Sequence, residues 1–203
     1  MVPKIKVLGE KILAHGRFKL TSTSVEIVEG DGSARRMDHE IYHHKPAAAV
    51  LLYDPQRATV LLVRQVRLGA YIEGAKQPMV EVCAGMLDGD AAEAGIIREA
   101  MEETGVAVAA ARHVFDAFVS PGATTEKISC FIARDSPADR VGPGGGVDDD
   151  EHIEIIEPTL EEALAMIERG DICDAKTIAL LYFAKARGLT EEAPAGVSRA
   201  NRL

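Results

Sequence analysis

The sequence predicts an α+β fold, because β-branched strand patterns outnumber the few helical patterns. Turn signals such as Asp31-Gly32 separate the strand patterns. Helical spacing without proline is found at Ala91–Thr104, Thr159–Arg169 and Ala175–Arg187. We therefore expect a mixed sheet with few helices, arranged as an αβα sandwich.

The individual elements follow from local patterns. The predicted strands lie within residues 4–29, with breaks near Gly9 and Gly16, and then at about 40–43, 46–53, 59–67, 79–83, 112–119, 127–133 and 153–157. Glycine follows two of the helices, at Gly105 and Gly188, and glycine is the usual stop signal of a helix. A loop from Asp135 to Asp150 contains the run Gly142–Gly146, whose composition indicates flexible backbone.

The chain of 203 residues has the length of one globular domain with a small appendage. We divide it into three segments. Residues 1–45 are predicted to form a β-rich N-terminal extension, residues 46–190 the main domain, and residues 191–203 a flexible tail.

The charge and the aromatic content exclude some functions. The net charge of −9 disfavours DNA or RNA as a partner, because an acidic protein repels the phosphate backbone. Aromatic residues make up 4% of the chain and Trp is absent, so stacking on single-stranded nucleic acid is not expected. An acidic protein that handles phosphates needs a cation between the two, which points to a divalent metal.

The cysteines and the apolar runs indicate a cytoplasmic protein without a membrane segment. The three cysteines, Cys83, Cys130 and Cys173, are far apart and form no CxxC motif, so neither zinc nor a disulfide framework is expected. The N-terminus lacks the pattern of a signal peptide, and the longest apolar runs, such as Ala47–Tyr53, are too short to cross a bilayer.

Three glutamates near the end of the first predicted helix are the strongest chemical signal. Glu99, Glu102 and Glu103 have the spacing i, i+3, i+4, which places them on one helix face. Like charges at this spacing repel by roughly 0.2–0.5 kcal/mol per pair, and the helix dipole disfavours anions at this end. Mg²⁺ would make the cluster favourable, because it prefers oxygen ligands. Arg98 lies four residues before Glu102 and is placed to hold it.

The alternative to a metal site is a solvated acidic face on a structural interaction domain, which is the common interpretation of such a pattern alone. Here a loop with Gly85 and Asp88-Gly89-Asp90 comes directly before the helix. The joint occurrence of these features favours the functional interpretation.

The segment Gly85-Met-Leu-Asp-Gly-Asp90, followed by Arg98-Glu99-Ala-Met-Glu-Glu-Thr-Gly-Val106, resembles the Nudix box, G-x5-E-x7-R-E-U-x-E-E-x-G-U with U aliphatic. The loop is one residue shorter than in that motif, and Asp90 stands where its first Glu is expected. The resemblance implies a Nudix αβα sandwich with an N-terminal β-extension, and metal-dependent hydrolysis of a pyrophosphate bond.

Other segments resemble the branch of the family that cleaves nucleoside diphosphate sugars, above all GDP-mannose pyrophosphatases and next ADP-ribose pyrophosphatases. Glu81-Val-Cys-Ala-Gly-Met-Leu-Asp resembles a strand of ADP-ribose and nucleotide-sugar pyrophosphatases, and the short loop ending in Leu87-Asp-Gly-Asp90 resembles GDP-mannose pyrophosphatases more closely. The similarity runs from about residue 5 to residue 188. This implies hydrolysis of GDP-mannose to GMP and mannose 1-phosphate by a homodimer paired through residues 1–45. The alternatives are an ADP-ribose pyrophosphatase and a non-catalytic Nudix module that binds a nucleotide.

The resemblance also implies roles for individual residues. Mg²⁺, with Mn²⁺ as an alternative, would be held by the Ala84 main-chain carbonyl, Glu99, Glu103 and Glu151. The implied catalytic residues are Glu151, Glu103, Glu102 and Arg98. The implied substrate-binding residues are Arg17, Asp38, His39, Glu40, Arg67, Ala84, Gly85, Met86, Glu103, Glu126, Asp150, Glu151 and Lys176, of which Arg17 and Asp38 to Glu40 would come from a partner subunit. For the residue that serves the chemical step, Asp149, Asp150 and His152 remain alternatives to Glu151.

Overall fold

The structure, a computed structural model, describes residues 2–87, 89–146 and 152–190. Within these ranges the chain forms two compact units. One contains the described residues up to Pro46 together with Phe118–Ile128, and the other contains Ala47–Ala117 with the described residues from Ser129 onward. None of the described helices is long and apolar enough to cross a membrane.

The described elements are ten strands, four helices and one 3-10 turn. The strands are β1 Lys4–His15, β2 Lys19–Val28, β3 Ala34–His43, β4 Ala47–Asp54, β5 Thr59–Gln65, β6 Met79–Glu81, β7 Cys83–Met86, β8 Arg112–Phe118, β9 Lys127–Arg134 and β10 Glu154–Ile156. The helices are α1 Leu68–Ile72, α2 Ala92–Thr104, α3 Leu160–Glu168 and α4 Ala175–Ala186, and the 3-10 turn is Pro137–Asp139.

The first unit is an antiparallel sheet in the order β1-β2-β3. The predicted turn at Asp31-Gly32 joins β2 to β3, and Gly32 has the positive φ of 84° that this position favours. The predicted break at Gly9 is absent, because β1 passes through it with only a shift in register. Residues 118–128 join this unit through backbone hydrogen bonds, in which Tyr42 N–H donates to Ala123 and Thr125 N–H donates to Tyr42.

The second unit contains a sheet in the order β10-β5-β4-β9-β8, and its centre is forked. Strands β4 and β5 pair only near their connecting turn, from Asp54↔Thr59 to Leu52↔Leu61. Beyond that point β6 pairs with β5 and β7 pairs with β4. Only Val82 separates β6 from β7, so the segment Met79–Met86 runs from one strand to the other. The fork brings this segment to the centre of the sheet.

Helices cover the sheet on both faces. Along β4 every residue is buried, and alternate residues point to opposite faces. Ala48, Val50 and Leu52 share a hydrophobic core with residues of α2. Helix α4 also packs on β4, and α3 packs on both α4 and β5. These two helices therefore cover the other face of β4, which contains the buried Leu51. The layers explain why β4 is apolar on both sides.

Helix α4 is fixed to the fork by a buried hydrogen-bond chain. Val82 lies where the pairing changes from β5 to β4, and its N–H donates to Thr177 Oγ1 at 2.9 Å. The Thr177 hydroxyl and N–H both donate to Asp174, the residue that caps the helix, at 2.6 and 3.0 Å. A buried N–H that loses its partner costs about 1–3 kcal/mol, so this chain stabilises the fork.

The α+β prediction, with a mixed sheet and few helices, is confirmed, and solved structures with the same fold are described below. Helix α1, directly after the predicted strand 59–67, was not expected from the sequence. The three-segment division of the chain stays a prediction. Each of its segments is continuous in sequence, so it could not indicate that Phe118–Ile128 packs with the N-terminal unit.

Candidate active site

The acidic face of α2 packs against β7. The helix begins at Ala92 and ends at Thr104, followed by Gly105 with a left-handed φ of 71°. Glycine is favoured there because a Cβ is disfavoured in this conformation. The helix contacts β7, so Glu99 and Glu103 lie over the main chain of the forked segment.

Gly85 allows the closest approach between the two elements. A Cβ built on Gly85 would lie 2.2 Å from Glu99 Cδ and 2.5 Å from Glu99 Oε1. Those distances are far below van der Waals contact, so any larger residue at position 85 would displace the Glu99 carboxylate. The strand therefore forms a cradle for that carboxylate which a Cβ would fill.

Glu103 is buried deeper than Glu99, with 6% of its surface exposed. Its Oε2 accepts a hydrogen bond from Ala84 N–H at 3.3 Å. Burial raises the pKa of Glu103 to about 7, the Cys83 thiol and Ala84 N–H lower it in part, and the nearby Glu99 charge raises it further. A carboxylate with this pKa takes up or releases a proton near neutral pH, which is common at functional sites.

Arg98 holds the two more exposed glutamates. Its Nη1 donates to Glu102 at 2.6 Å and its Nη2 donates to Glu99 at 2.8 Å. The bond to Glu102 is the i, i+4 pair expected from the sequence. The guanidinium offsets part of the repulsion along the acidic face and fixes the direction of both side chains.

The run Gly142–Gly146 caps the C-terminal end of α2. Gly145 N–H donates to the Glu103 carbonyl at 2.8 Å, and Gly146 N–H donates to the Glu102 carbonyl at 3.2 Å. A Cβ on Gly105 would lie 2.1 Å from the Gly142 carbonyl oxygen, so close packing of the two backbones needs glycine. The sequence interpretation of this run as merely flexible backbone was wrong, because these N–H groups satisfy carbonyls that a helix leaves without partners.

Arg67 and Lys176 both bind Glu81 beside the fork, a residue for which the sequence predicted no role. Glu81, the last residue of β6, is 3% exposed. Its Oε2 accepts from Arg67 Nε at 2.6 Å, and its Oε1 accepts from Lys176 Nζ at 2.8 Å. The only signal for Glu81 in the sequence was its place at the start of the segment Glu81 to Asp88, and that signal did not reveal its partners.

The remaining predicted site residues lie elsewhere. Arg17, Asp38, His39, Glu40 and Glu126 are in the first unit, and Met86 ends β7 in the second. Asp38 pairs with Ser24 in the middle of β2, whereas Arg17 precedes that strand. The separation is at least five residues of strand, or roughly 17 Å, so Arg17 and Asp38 do not contact each other within one chain. Glu126 Oε1 lies 3.5 Å from His44 Nδ1. Asp149, Asp150 and Glu151 lie outside the described residues.

The carboxylates of α2 fit a hard divalent cation. Glu99 and Glu103 are close enough for the charge of one to raise the pKa of the other, and a cation between them would remove that repulsion. In residues 2–87, 89–146 and 152–190 no group of three or more His, Cys, Asp or Glu side chains has metal-binding geometry. A cation here would therefore need further ligands, such as a main-chain oxygen, an acid from outside those ranges, water or phosphate oxygens of a substrate.

Comparison with solved structures assigns the fold. A structure titled "Crystal structure of ADP compounds hydrolase" superposes with a TM-score of 0.69, and the match covers 91% of this chain and 96% of the other. The two sequences are 17% identical, so the likeness concerns the fold. The overall fold of this chain is thus shared with that solved structure.

Sequence comparisons assign the family. The family model described as "NUDIX domain" matches residues 43–181. The GDP-mannose pyrophosphatase of Klebsiella pneumoniae subsp. pneumoniae is 43% identical over 91% of this chain and 93% of its own length. The GDP-mannose pyrophosphatase of Cronobacter sakazakii is 40% identical, over 92% of this chain and 98% of its own. The chain belongs to the Nudix family, as its Arg98–Gly105 motif predicted.

The raised pKa of Glu103 predicts how stability depends on pH in metal-free protein. The unfolded chain loses this proton near pH 4.5, and the folded protein keeps it to about pH 7. The free energy of unfolding should therefore fall as pH rises from about 4.5 to 7, by on the order of 3 kcal/mol from this group. Urea denaturation in EDTA at pH 5 and pH 8 measures the change. The Glu103→Gln protein should lose less stability than the wild type between these two pH values. Equal losses in both proteins would refute the raised pKa of Glu103.

Proposed function

We propose that this protein is a metal-dependent hydrolase that cleaves the pyrophosphate bond of a nucleoside diphosphate sugar. The proposed substrate is GDP-mannose, and the products are GMP and mannose 1-phosphate. The observation that carries the proposal is the pair of α2 carboxylates, Glu99 and Glu103, packed on the glycine-containing β7. The names and the near full-length coverage of the curated relatives support the substrate.

The metal site would be formed by Glu99, Glu103, the Ala84 main-chain carbonyl and Glu151. Two contacts support this set, because Glu103 accepts from Ala84 N–H and Glu99 lies against Gly85 where α2 crosses β7. Mg²⁺ suits carboxylate and carbonyl ligands, and Mn²⁺ accepts the same donors. When bound, the cation would supply charge stabilisation to the phosphates. Deprotonated Glu103 is the form that binds a cation, so its pKa near 7 makes binding favourable at neutral and higher pH.

The chemical step would be attack of water on one phosphorus of the substrate. Glu151 would orient that water, accept its proton or act as a ligand, with Asp149, Asp150 and His152 as alternatives. The backbone supports a role for this acidic segment, because Gly146, two residues before Asp148, donates to the Glu102 carbonyl. Gly146, the last residue described before this segment, therefore lies at the end of α2 that carries the glutamates. Glu102 and Arg98 would hold Glu99 in place through the bonds of the guanidinium.

The substrate would be held by Arg67, Lys176 and the main chain of Ala84 to Met86. Arg67 lies near enough to Glu103 for its charge to lower the pKa of that carboxylate, which places one cation beside the proposed metal site. Cations bind phosphate oxygens, and a guanidinium can bind two at once. ADP-ribose stays the alternative substrate, because the groups described in this unit would contact the pyrophosphate, which both substrates share.

A hydrolysis panel tests the function. Purified protein with Mg²⁺ should release GMP from GDP-mannose faster than it cleaves ADP-ribose, UDP-glucose, NADH or nucleoside triphosphates. Glu103→Gln should lower kcat by at least about a hundredfold with the fold retained, because a neutral amide cannot replace the anionic ligand. Product analysis by chromatography gives both answers. A Gln variant with wild-type turnover would contradict the metal site, and preferred cleavage of ADP-ribose would contradict the substrate.

We further propose that two copies of the chain form a homodimer through the N-terminal sheet. All twelve residues of β1 are exposed, and in the described residues the strand pairs only with β2. Ile5, Val7 and Ile12 are 69%, 62% and 58% exposed. A long apolar edge strand of this kind associates with another chain unless something protects it. The second copy would also supply Arg17, Asp38, His39 and Glu40 to the site, which accounts for their position in a separate unit.

Light scattering tests the dimer. The wild-type protein should be a dimer at micromolar concentration, and Val7→Lys with Ile12→Lys should produce a monomer with reduced activity, because charges on the edge strand disfavour association. Tyr182→Lys is the matched control, since Tyr182 is a 50% exposed apolar residue on α4. A fully active wild-type monomer would exclude the dimer, and so would a doubly substituted protein that remains dimeric.

The three cysteines support a cytoplasmic location for the protein. Cys83, Cys130 and Cys173 are free, and the first two are buried. Proteins of oxidising compartments more often pair their cysteines in disulfides, whereas free thiols are usual in the reducing cytoplasm.

A further inference from the structure

Arg67 and Lys176 come from distant parts of the chain and share one carboxylate. Arg67 follows β5 by two residues, and Lys176 is the second residue of α4. Each cation contacts a different oxygen of Glu81, at 2.6 Å for Arg67 Nε and 2.8 Å for Lys176 Nζ. A single carboxylate therefore sets the positions of both cationic groups relative to each other.

Glu81 is itself held rigidly. It ends β6 and pairs with Val63 of β5, one residue before the fork at Val82. Its side chain is only 4% exposed, so water does little to stabilise its charge. Burying a carboxylate costs several kcal/mol unless it is paired, and here two cations provide the pairing.

The cations keep donors for a further anion. Arg67 uses Nε for Glu81, and among the described residues no partner takes its terminal Nη groups, which belong to a side chain that is 42% exposed. Lys176 Nζ contacts Glu81 and also Asp174 at 3.0 Å. An ammonium has three N–H donors, so one is left after these two contacts. The group has no net charge, because the two acids Glu81 and Asp174 balance the two cations. The N–H donors of Arg67 and Lys176 outnumber the hydrogen bonds within the group.

The cluster is adjacent to the carboxylates of α2. The charge of Arg67 is felt at Glu103, and only Val82 and Cys83 separate Glu81 from Ala84, whose N–H donates to Glu103. An anion bound by Arg67 would thus lie next to the proposed metal site. The metal ion and the side chains of Arg67 and Lys176 would then hold opposite sides of one polyanionic substrate.

We propose that Glu81 is a positioning residue for substrate binding, which holds Arg67 and Lys176 so that their remaining donors bind the phosphate oxygens of the nucleotide sugar. This inference rests on the proposed function and assigns a role in it to a residue that touches no substrate. It differs from a purely structural ion pair, in which Glu81 would contribute to stability and leave substrate affinity unchanged.

The test compares Glu81→Gln with a matched control. An amide offers one acceptor oxygen and turns an N–H donor toward the second cation, so one of the two cations loses its place. Glu157→Gln is the control, because Glu157 is likewise bonded by two cations, Arg57 and Arg140, outside the site. Steady-state kinetics with GDP-mannose, thermal unfolding and calorimetry with inorganic pyrophosphate and Mg²⁺ are measured for both variants.

We expect Glu81→Gln to raise KM at least about tenfold and to weaken pyrophosphate binding to a similar extent, with kcat within about threefold of wild type. Glu157→Gln should lower the unfolding temperature without changing KM. Adding Glu81→Gln to Lys176→Met should have less effect than the sum of the two single changes, because both act through the same ammonium.

Several results would overturn the proposal. An unchanged or lowered KM in Glu81→Gln, with a lowered unfolding temperature, would reduce Glu81 to a structural role. If the wild-type protein cleaves no nucleotide sugar, the proposed function fails, and the pyrophosphate calorimetry still decides the role of Glu81. Equal pyrophosphate affinity in wild type and variant, or no binding by either, would reject that role. If Glu81→Gln does not fold, Lys176→Met must weaken pyrophosphate binding at least tenfold, and normal binding by it would reject the proposal.

Discussion

The close packing of α2 on the main chain of β7 is the constraint on which the rest of the site depends. Glu99 occupies the space that a side chain at position 85 would fill, and Glu103 is held by Ala84 N–H. The packing forces two carboxylates together in a place where water cannot screen them, and the raised pKa of Glu103 is the consequence. In the absence of a ligand this arrangement is unfavourable, and a divalent cation would make it favourable. Residues arranged against stability in this way usually serve function.

Several other features support that packing. The fork in the sheet places Met79–Met86 between β4 and β5, and Thr177 of α4 satisfies the N–H of Val82 where the pairing changes. The glycines from Gly142 to Gly146 satisfy carbonyls at the end of α2. Arg140 ties the segment before those glycines to Asp135, with an Arg140 Nη2 to Asp135 distance of 2.6 Å. Elements that are far apart in the sequence therefore converge on the ends of one helix and one short strand.

The sequence predicted the features that depend on local spacing. The bounds of α2, the left-handed Gly105, the shared face of the three glutamates and the Arg98–Glu102 pair all follow from residues within one or two helical turns. The turn at Asp31-Gly32 is local in the same sense. Such features need no knowledge of the rest of the fold, so they could be derived from the order of the residues alone.

The features that the sequence did not predict depend on distant partners. Glu81 and Lys176 are 95 positions apart and meet only because α4 packs at the fork. The run Gly142–Gly146 has the composition of a flexible loop, and its capping role depends on its close contact with Gly105. Likewise, Phe118–Ile128 joins the N-terminal unit through hydrogen bonds to Tyr42, which no periodicity could indicate.

The most direct measurement of the central claim is the affinity of Gly85→Ala for Mn²⁺, determined by calorimetry beside Gly122→Ala. Neither glycine has a positive φ, so alanine is compatible with the backbone at both positions, and a Cβ on Gly122 would meet nothing within 4 Å. At Gly85 the added methyl group would displace Glu99, so the account predicts a loss of affinity of at least about tenfold, or about 1.4 kcal/mol, with an unchanged circular dichroism spectrum. Gly122→Ala should bind Mn²⁺ like the wild type. A folded Gly85→Ala protein with wild-type affinity would contradict the account.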